Sequence, residues 1–539
     1  MKNRIKQYLL AASMCVGLTA CSDFFEPIPG VQFGLDETFA SKQRTEEYLN
    51  NVYSYVREVT DAIHPNTYGG IFTEASLDGA NRWNKTYAEW TNGSFNSASA
   101  QASEYFSKYY QAIAKASTFI QNVDKCTEAA ASTRGKWKSE ARALRAYYYF
   151  ELLRLYGPIP LIGEDPIPLD ASLEELIKER NSVDECVNFI ATELQSAIDS
   201  GDLLQRAGKA NLGRMDVATC MALKAKLYLY WASPLFNGNT DQASVKNKDG
   251  KQLFPQTEDN SKWTQARDTY ERFMTFATGQ GYKLTEVYTN GKLDPYASCR
   301  AAGEFFTTTW EAVDELIFVK LRDLYDYTYW VCPKFTDFQD TDVTGGGGYY
   351  TTQETVDLFF TKDGLTIEED PGYDKFEGIP SANNFTSGRY YDPNNPSRLY
   401  FDADKSKVLK QWKDREPRFY VNITYSGSIW LNEGKYNEEM RTDFTNGANG
   451  TCGKSKASGD CPDSGYLIRR GAKASNNNGS KHFSPVLRLA DMYLGYAEAL
   501  CMCSDLDNAL TYLNKIRVRA GIPEYTFTAT AGKITCPIC

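Results

Sequence analysis

Apolar residues recur at helical spacing over long stretches of the chain. Over residues 136–156 they fall at steps of three and four along two neighbouring stripes, which predicts a helix that is covered on both sides. Gly157 and Pro158 follow, and neither residue supports continuation of a helix. The same period runs through residues 216–231 and is followed by Pro234. The hydrophobic pattern therefore predicts long scaffold helices.

Two further helices are predicted near the C-terminus, joined by a short turn at Ser504-Asp505. The apolar stripe of the first helix contains Leu487, Ala490, Leu494, Ala497 and Cys501, and that of the second contains Ala509, Leu513, Ile516 and Ala520. Gly521 and Pro523 close the second helix in the order expected of a C-terminal stop. Such a helix hairpin is the building unit of tetratricopeptide-like superhelices.

The pattern becomes irregular between residues 237 and 482, where Gly, Asn, Asp and Ser are frequent and residues 345–348 are all glycine. Residues 316–319 and 419–425 are β-branched or aromatic and bounded by turn residues, which predicts two short strands. We therefore predict a mainly α fold. It consists of a scaffold of tetratricopeptide-like helical pairs (an α-α superhelix) and an irregular, loop-rich subdomain that contains a few short strands. Loops held by a rigid scaffold are where binding surfaces usually lie.

The first twenty residues have the pattern of a secretory signal peptide. Three basic residues among the first six precede an apolar stretch over residues 8–20, which is too short to span a bilayer. Cys21 follows small residues at the end of this stretch, and the arrangement resembles a bacterial lipobox. We therefore expect a signal peptide over residues 1–20, and a lipid anchor on Cys21 with a linker over residues 21–45. The alternative is an ordinary signal peptide followed by a chance cysteine.

Charge and histidine content exclude several classes of function. The chain carries 59 basic and 69 acidic residues, a net charge of −10, and no cluster of Lys or Arg beyond its first residues. Nucleic acid is therefore not expected as a partner. The chain contains two histidines, His64 and His482, so neither a His-based zinc site nor a His-dependent nucleophilic triad is expected. We predict no metal, no cofactor and no catalytic residue, although these observations leave paired carboxylates open.

Two arginines are expected to have structural roles, and one pair of cysteines has two possible states. Arg142 and Arg145 are expected to pair with acidic neighbours inside the scaffold rather than with a ligand. Cys452 and Cys461 flank a polar loop and could form a disulfide in an oxidising compartment, so their pairing is left open.

Five segments, in order along the chain, resemble successive blocks of the SusD/RagB family. The first is residues 140–160, EARALRAYYYFELLRLYGPIP. The others are residues 351–359 followed by Asp363-Gly364, residues 414–419, residues 487–499 and residues 514–522. A single block would be weak, but five in order are specific, and with the Cys21 motif the resemblance extends from Cys21 to Pro523.

The resemblance implies a protein that binds a ligand and does not cleave it. A SusD-like member is a surface-exposed outer-membrane lipoprotein that captures oligo- or polysaccharide and passes it to a SusC-like TonB-dependent transporter. The expected division is a helical scaffold over residues 46–236, an irregular ligand-binding subdomain over residues 237–482, and a C-terminal helical hairpin and tail over residues 483–539. Family members usually continue beyond the 18 residues that follow Gly521 here, so a truncated chain is expected.

The expected ligand site combines aromatic rings, which cover the C–H faces of sugars, with planar polar groups, which hydrogen-bond their hydroxyls. Residues 78–90 and 325–330 supply this mixture away from helical periodicity. In the family an early loop with Asp, Arg and Trp contributes to the glycan surface, and residues 78–90 resemble it. The predicted ligand-binding residues are Asp78, Asn81, Arg82, Trp83, Trp90, Tyr325, Tyr327, Tyr329 and Trp330. The alternative is that these aromatic residues merely pack the subdomain.

Two other functions fit parts of the pattern. A surface glycoside hydrolase would need two carboxylates at a fixed separation in a cleft. A peptide-binding uptake lipoprotein, as in RagB-like members, would use the same scaffold with fewer aromatic residues and more polar groups that face a peptide backbone.

Overall fold

The computed structural model describes residues 34–56, 76, 79–81, 93–163, 171–303, 314–322, 329–335, 345–376, 378–430, 440–445, 452–453, 460–472 and 482–526. Within these residues the chain forms thirteen helices and ten short strands.

The helices are α1 (Leu35–Ala40), α2 (Lys42–Tyr53), α3 (Ala100–Asn122), α4 (Ala131–Tyr156), α5 (Leu173–Leu176), α6 (Val183–Asp199), α7 (Val217–Ala232), α8 (Ser261–Gly279), α9 (Pro295–Gly303), α10 (Gln353–Asp357), α11 (Pro417–Asn422), α12 (Leu489–Met502) and α13 (Leu506–Arg519). The strands are β1 (Ala80–Asn81), β2 (Tyr288–Thr289), β3 (Lys292–Leu293), β4 (Leu316–Arg322), β5 (Tyr349–Tyr350), β6 (Arg389–Asp392), β7 (Asn395–Asp402), β8 (Ile423–Thr424), β9 (Leu467–Ile468) and β10 (His482–Arg488).

The central helix α4 is covered on both sides, as its two apolar stripes predict. Fifteen of its residues are buried, and it packs between α3 and α6. It ends where Gly157 takes a positive φ of 68°, a conformation that glycine adopts without the penalty of a Cβ. The predicted stop at Gly157 and Pro158 is therefore confirmed.

The long helices pack in succession and form the scaffold. Helix α6 packs on α7, α7 on α8, α8 on α12, and α12 on α13, which extends the stack begun by α3 and α4. One large hydrophobic core runs through these helices. The prediction of a mainly α fold built from helical pairs is confirmed.

Two buried arginine contacts tie α4 to α6. Arg145 is fully buried and its Nε donates to Glu193 Oε2 at 2.8 Å, while Arg142 Nη1 donates to Glu193 Oε1 at 2.9 Å. Arg145 Nη1 also donates to Ser117 Oγ at 3.0 Å on α3. The predicted structural role of Arg142 and Arg145 is confirmed, because both guanidinium groups are used inside the scaffold.

The middle of the chain is less irregular than predicted, because α8 lies within residues 237–482 and belongs to the scaffold. Its buried residues include Trp263, Ala266, Tyr270 and Phe273, which follow helical spacing. Helix α8 packs between α7 and α12. The polar residues on its outer face hide this pattern in the sequence, and the irregular character assigned to this segment is wrong for α8. The division into a scaffold and a ligand-binding subdomain stays a prediction.

The strand predicted over residues 419–425 is wrong for most of its length. Residues Pro417–Asn422 form helix α11, and only Ile423–Thr424 pair as a strand. Pro417 occupies the first turn of α11, where a missing N–H costs nothing and a fixed φ favours the helix. The β-branched and aromatic composition was overridden by this start signal. The strand predicted over residues 316–319 is confirmed within β4.

The C-terminal hairpin forms as predicted, with one correction to its first stripe. Leu487 belongs to strand β10 rather than to α12, and Leu494 is 39% exposed. Met492 and Tyr496 take part in the buried face of α12 instead. Ser504 adopts a positive φ in the turn between the two helices.

The strands form small antiparallel sheets beside the scaffold. The largest has the order β1-β5-β9-β8, and two-stranded pairs join β10 to β4, β2 to β3, and β6 to β7. Two smaller hydrophobic clusters support this region. Among the described residues no helix combines the length and the apolar character needed to cross a membrane.

Candidate functional site

Tyr329 and Trp330 form an aromatic pair beside the glycine segment that precedes β5. Their ring centroids lie 4.9 Å apart with an interplanar angle of 81°, and both residues are partly exposed. Trp330 packs on a buried cluster that consists of Val331, Cys332, Phe335, Tyr349, Trp430, Met440, Cys452 and Ala472. The pair is therefore held by a core on one side while part of its surface stays open to solvent.

The glycines at residues 345–348 fix the turn that carries this pair. Their backbone N–H groups donate to its carbonyl oxygens: Gly345 N to Pro333 O, Gly346 N to Tyr329 O, Gly347 N to Cys332 O and Gly348 N to Trp330 O, at 2.7–3.0 Å. A Cβ on Gly345 would overlap the Tyr329 carbonyl oxygen, and one on Gly346 would overlap the Trp330 ring, both well below 3.0 Å. Glycine is thus required at these two positions, because neighbouring backbone and ring atoms lie too close to leave room for a Cβ.

Strand β1 brings the early predicted stretch to the same place. Asn81 lies opposite Tyr349 in antiparallel register, and Ala80 lies opposite Tyr350. Strand β5 follows the glycine segment directly, so residues 79–81 lie beside the segment that holds Tyr329 and Trp330. The sheet therefore brings residues 80–81 beside the strand whose preceding glycines bond to Tyr329 and Trp330.

The other predicted ligand residues, Asp78, Arg82, Trp83, Trp90, Tyr325 and Tyr327, lie outside the described residues, as does Cys21. For Asn81 the backbone pairing is described, and for Tyr329 and Trp330 the rings as well. The assignment of all nine residues to ligand binding stays a prediction.

Charged and sulfur-containing groups around this surface are engaged in packing or pairing. Lys334 forms an ion pair with Asp460, whose carbonyl oxygen lies beside Gly347. Burial raises the pKa of the Cys332 thiol well above its ordinary value, so this sulfur stays a neutral packing atom. Cys452 and Cys461 are both buried, and no disulfide joins them.

No group of three or more His, Cys, Asp or Glu side chains in the described part of the chain is arranged to hold a metal ion. The chemistry visible near Tyr329 and Trp330 is thus that of rings, amides and an ion pair. Such groups suit the recognition of an uncharged polar ligand through ring faces and hydrogen bonds.

The roles of Tyr349 and of the glycine run were not predicted from the sequence. Tyr349 is buried, packs in the cluster under Trp330 and pairs with Asn81. The sequence did contain a signal for these roles. Four glycines followed by two tyrosines indicate a backbone segment that packs closely against bulky side chains and then enters a strand.

Two family models match the chain. The model described as "Starch-binding associating with outer membrane" matches residues 32–229, and the model described as the SusD family matches residues 315–535. Together the two matches cover well over half of the sequence and include most of the scaffold helices and the region around Tyr329 and Trp330. The chain belongs to the SusD/RagB family, a family of carbohydrate-binding proteins that associate with the outer membrane.

Individual proteins agree with this assignment. A SusD-like protein from Bacteroides ovatus is 27% identical over 175 residues, a match that spans 31% of this chain and only 30% of the relative. The solved structure of the protein BT4246 has a TM-score of 0.70 at 24% identity and covers 91% of this chain and 84% of that chain. A SusD-like protein (BF3747) from Bacteroides fragilis has a TM-score of 0.65 at 20% identity, with 92% and 83% covered.

A structure titled "Laminarin binding SusD-like protein" is also similar, with a TM-score of 0.51 at 18% identity over 91% of this chain and 87% of that chain. At these identities the three structural likenesses establish the fold of the chain.

Proposed function

We propose that this protein captures oligo- or polysaccharide at the bacterial surface and passes it to a SusC-like TonB-dependent transporter. The observation that carries the proposal is the antiparallel pairing of Asn81 with Tyr349. This pairing brings residues 80–81, which belong to the early predicted stretch, beside the strand that follows the glycine segment, and so supports a surface shared with Tyr329 and Trp330. The starch-binding description of one family model and the laminarin-binding title of a structural neighbour support glycan as the ligand class.

The proposed surface would bind by stacking and hydrogen bonding. One aromatic contact contributes about 0.5–1.5 kcal/mol beyond the area it buries, so a single ring gives weak affinity. A polymer that contacts several rings gains from the high effective concentration of its second and third contacts. We therefore expect weak binding of short oligosaccharides and tighter binding of long chains.

Binding without cleavage is favoured by the groups around Tyr329 and Trp330. A glycoside hydrolase requires an acid and a second carboxylate flanking the scissile bond. Among the described residues near the glycine segment, the Asp460 carboxylate is engaged in an ion pair with Lys334.

The proposed location is the outer membrane, with a lipid on Cys21 as the anchor. The family description names association with the outer membrane, which supports this location. The N-terminal pattern of a signal peptide followed by Cys21 supports lipidation. A protein held in this way would be positioned to exchange ligand with a transporter barrel in the same membrane.

The ligand-binding proposal is tested by affinity electrophoresis in gels that contain starch, laminarin, xylan or mannan. The wild-type protein should be retarded by at least one of these polysaccharides. Tyr329→Ala should lose much of this retardation, because it removes one ring of the pair and leaves the buried cluster under Trp330 in place. Tyr288→Ala is the matched control, since Tyr288 is 60% exposed and belongs to a different sheet.

A Tyr329→Ala variant that is retarded as strongly as the wild type would place the glycan elsewhere. A wild-type protein that ignores all four polysaccharides but binds a mixture of oligopeptides by isothermal titration calorimetry would favour the RagB-like alternative. The transporter step is tested separately, by co-purification of a TonB-dependent barrel with the tagged protein from detergent-solubilised outer membranes.

A further inference from the structure

A cleft of about 600 Å³ lies between α10, the segment before α11 and the segment before β9, apart from the Tyr329–Trp330 surface. We call it the Trp412 cleft and define it by six of its lining residues: Gln353, Asp357, Gln411, Trp412, Ser464 and Tyr466. Its volume lies within the range of about 300–1,000 Å³ that is typical of small-molecule sites. Tyr329 and Trp330 do not line it.

The floor of the cleft is a fixed chain of hydrogen bonds. Trp412 Nε1 donates to the Tyr466 hydroxyl at 3.0 Å, and this hydroxyl donates to Gln353 Oε1 at 2.8 Å. Gln353 Nε2 then donates to Asp357 Oδ1 at 2.7 Å. Trp412 and Tyr466 are only 7% and 4% exposed, so their positions are set by packing. The chain fixes the orientation of the Gln353 amide and of the Asp357 carboxylate.

Gln411 is a polar residue of the cleft that lies outside this series of hydrogen bonds. The residue is 8% exposed, and its backbone carbonyl oxygen accepts hydrogen bonds from Tyr373 and Arg415. Its side-chain amide makes no hydrogen bond to any residue in the described part of the chain. An amide that lines the cleft and bonds to no described residue is suited to hydrogen-bond a molecule within the cleft.

The charge and the rim of the cleft favour an uncharged ligand. Asp357 and Lys375 contribute one carboxylate and one ammonium group, so neither sign dominates, and Lys375 also faces Glu368 at 3.9 Å. Phe376 and Pro380 add apolar surface at the rim. Planar amide and carboxylate groups beside apolar surface match the vicinal hydroxyls and C–H faces of a neutral sugar ring.

We propose that the Trp412 cleft is a second carbohydrate site, which holds a neutral hexose or pentose unit through Gln411 and Asp357. This inference rests on the proposed glycan-binding function and adds a separate place of contact. Two sites on one protein would engage one long polysaccharide at the same time, which raises its apparent affinity above that of either site. The sheet that carries β5 also carries β9, which follows Tyr466, so both sites adjoin the same four-stranded sheet.

The test counts the sites by equilibrium dialysis of the intact protein against labelled maltohexaose, laminarihexaose and xylohexaose. Gln411→Ala removes an amide that bonds to no described residue, and Gln353→Ala removes an exposed side chain, so neither change is expected to unfold the protein. Gln43→Ala is the matched control, because Gln43 donates to Glu47 four residues later on α2, as Gln353 does to Asp357. Tyr329→Ala isolates the cleft from the first site.

The inference is supported if the wild-type chain binds two hexasaccharides and the Tyr329→Ala variant binds one. The cleft variants Gln411→Ala and Gln353→Ala should then weaken binding at the site that Tyr329→Ala retains by roughly fivefold or more, as expected for a lost hydrogen bond. One bound hexasaccharide that Gln411→Ala and Gln353→Ala leave unchanged overturns it and leaves the proposed function intact. One hexasaccharide that only the cleft variants weaken supports the cleft and contradicts the Tyr329 surface. No binding of any probe by the wild type contradicts both.

Discussion

Asn81 lies opposite Tyr349 in an antiparallel bridge that connects two segments separated in the sequence by most of the helical scaffold. Tyr349 also packs in the buried cluster that supports Trp330. The bridge therefore links Asn81 to the cluster under Trp330 through a single residue. The proposed ligand surface would form only when the scaffold and the sheet are both folded.

Gly346→Ala should disturb the aromatic pair from behind. A Cβ at this position overlaps the Trp330 ring, so the ring or the glycine segment must shift. We expect the free energy of unfolding to fall by about 1–3 kcal/mol, as for other overpacked sites, and polysaccharide retardation to fall with it. Chemical denaturation and affinity electrophoresis measure the two effects. Gly163→Ala, with open space around the added Cβ, should change neither.

Arg145→Ala should destabilise the scaffold strongly. The variant removes the fully buried one of the two arginines that pair with the Glu193 carboxylate, which is only 4% exposed, and Arg142 remains as a partner. Removing one side of a buried ion pair costs about 3–5 kcal/mol when the other charge is left alone, so we expect a loss towards the lower end of this range. Urea denaturation followed by circular dichroism tests this. The exposed pair of Lys125 with Asp36 provides the comparison, and Lys125→Ala should leave the denaturation midpoint where it is.

Glu185 gives stability a dependence on acid pH. Its hydrogen bonds with Lys251 and the backbone of Ser182 lower its pKa from 4.5 to about 2. A carboxyl whose pKa is lower in the folded state stabilises the fold above its unfolded pKa and loses this contribution as the pH falls towards the folded value.

Glu185→Gln should therefore be less stable than the wild type at pH 7, and the difference should shrink between about pH 4.5 and pH 2. Thermal unfolding of both proteins across this window measures it. The effect should be modest because the Lys251–Glu185 pair is partly exposed. A difference that stays constant down to pH 2 would show that the carboxylate charge is not responsible.

Cys21→Ala should release the protein from the membrane fraction, because it removes the expected attachment point of the lipid. Membrane fractionation and metabolic labelling with a radioactive fatty acid give two independent readouts. Cys15→Ala, within the signal peptide itself, should retain both label and membrane association. Label that persists in Cys21→Ala would rule out this cysteine as the anchor.

The helical scaffold could be predicted from the sequence because its signals are local. The stripes of α4, and Gly157 at its end, depend on residues within a few turns of one another. The same applies to the turn at Ser504 and Asp505. Helix α8 was missed because polar residues dominate its composition, although Trp263, Ala266, Tyr270 and Phe273 carry the buried period.

The proposed ligand surface depends on contacts between distant segments, which local sequence signals do not contain. Local composition suggested residues 78–90 and 325–330 as ligand-binding stretches, but nothing local indicates that strands β1 and β5 pair. The Trp412 cleft shows the same limit more clearly. Gln353, Gln411 and Tyr466 come from three separate segments, and each looks ordinary in its own sequence context.

The central claim, binding without cleavage, is tested by one combined measurement on purified protein. The protein is incubated with each polysaccharide that retards it in affinity electrophoresis, and new reducing ends are counted in the same mixture. We predict retardation by at least one neutral polysaccharide with no increase in reducing ends over a protein-free control. Reducing ends that rise in proportion to protein concentration would contradict this account and identify an enzyme.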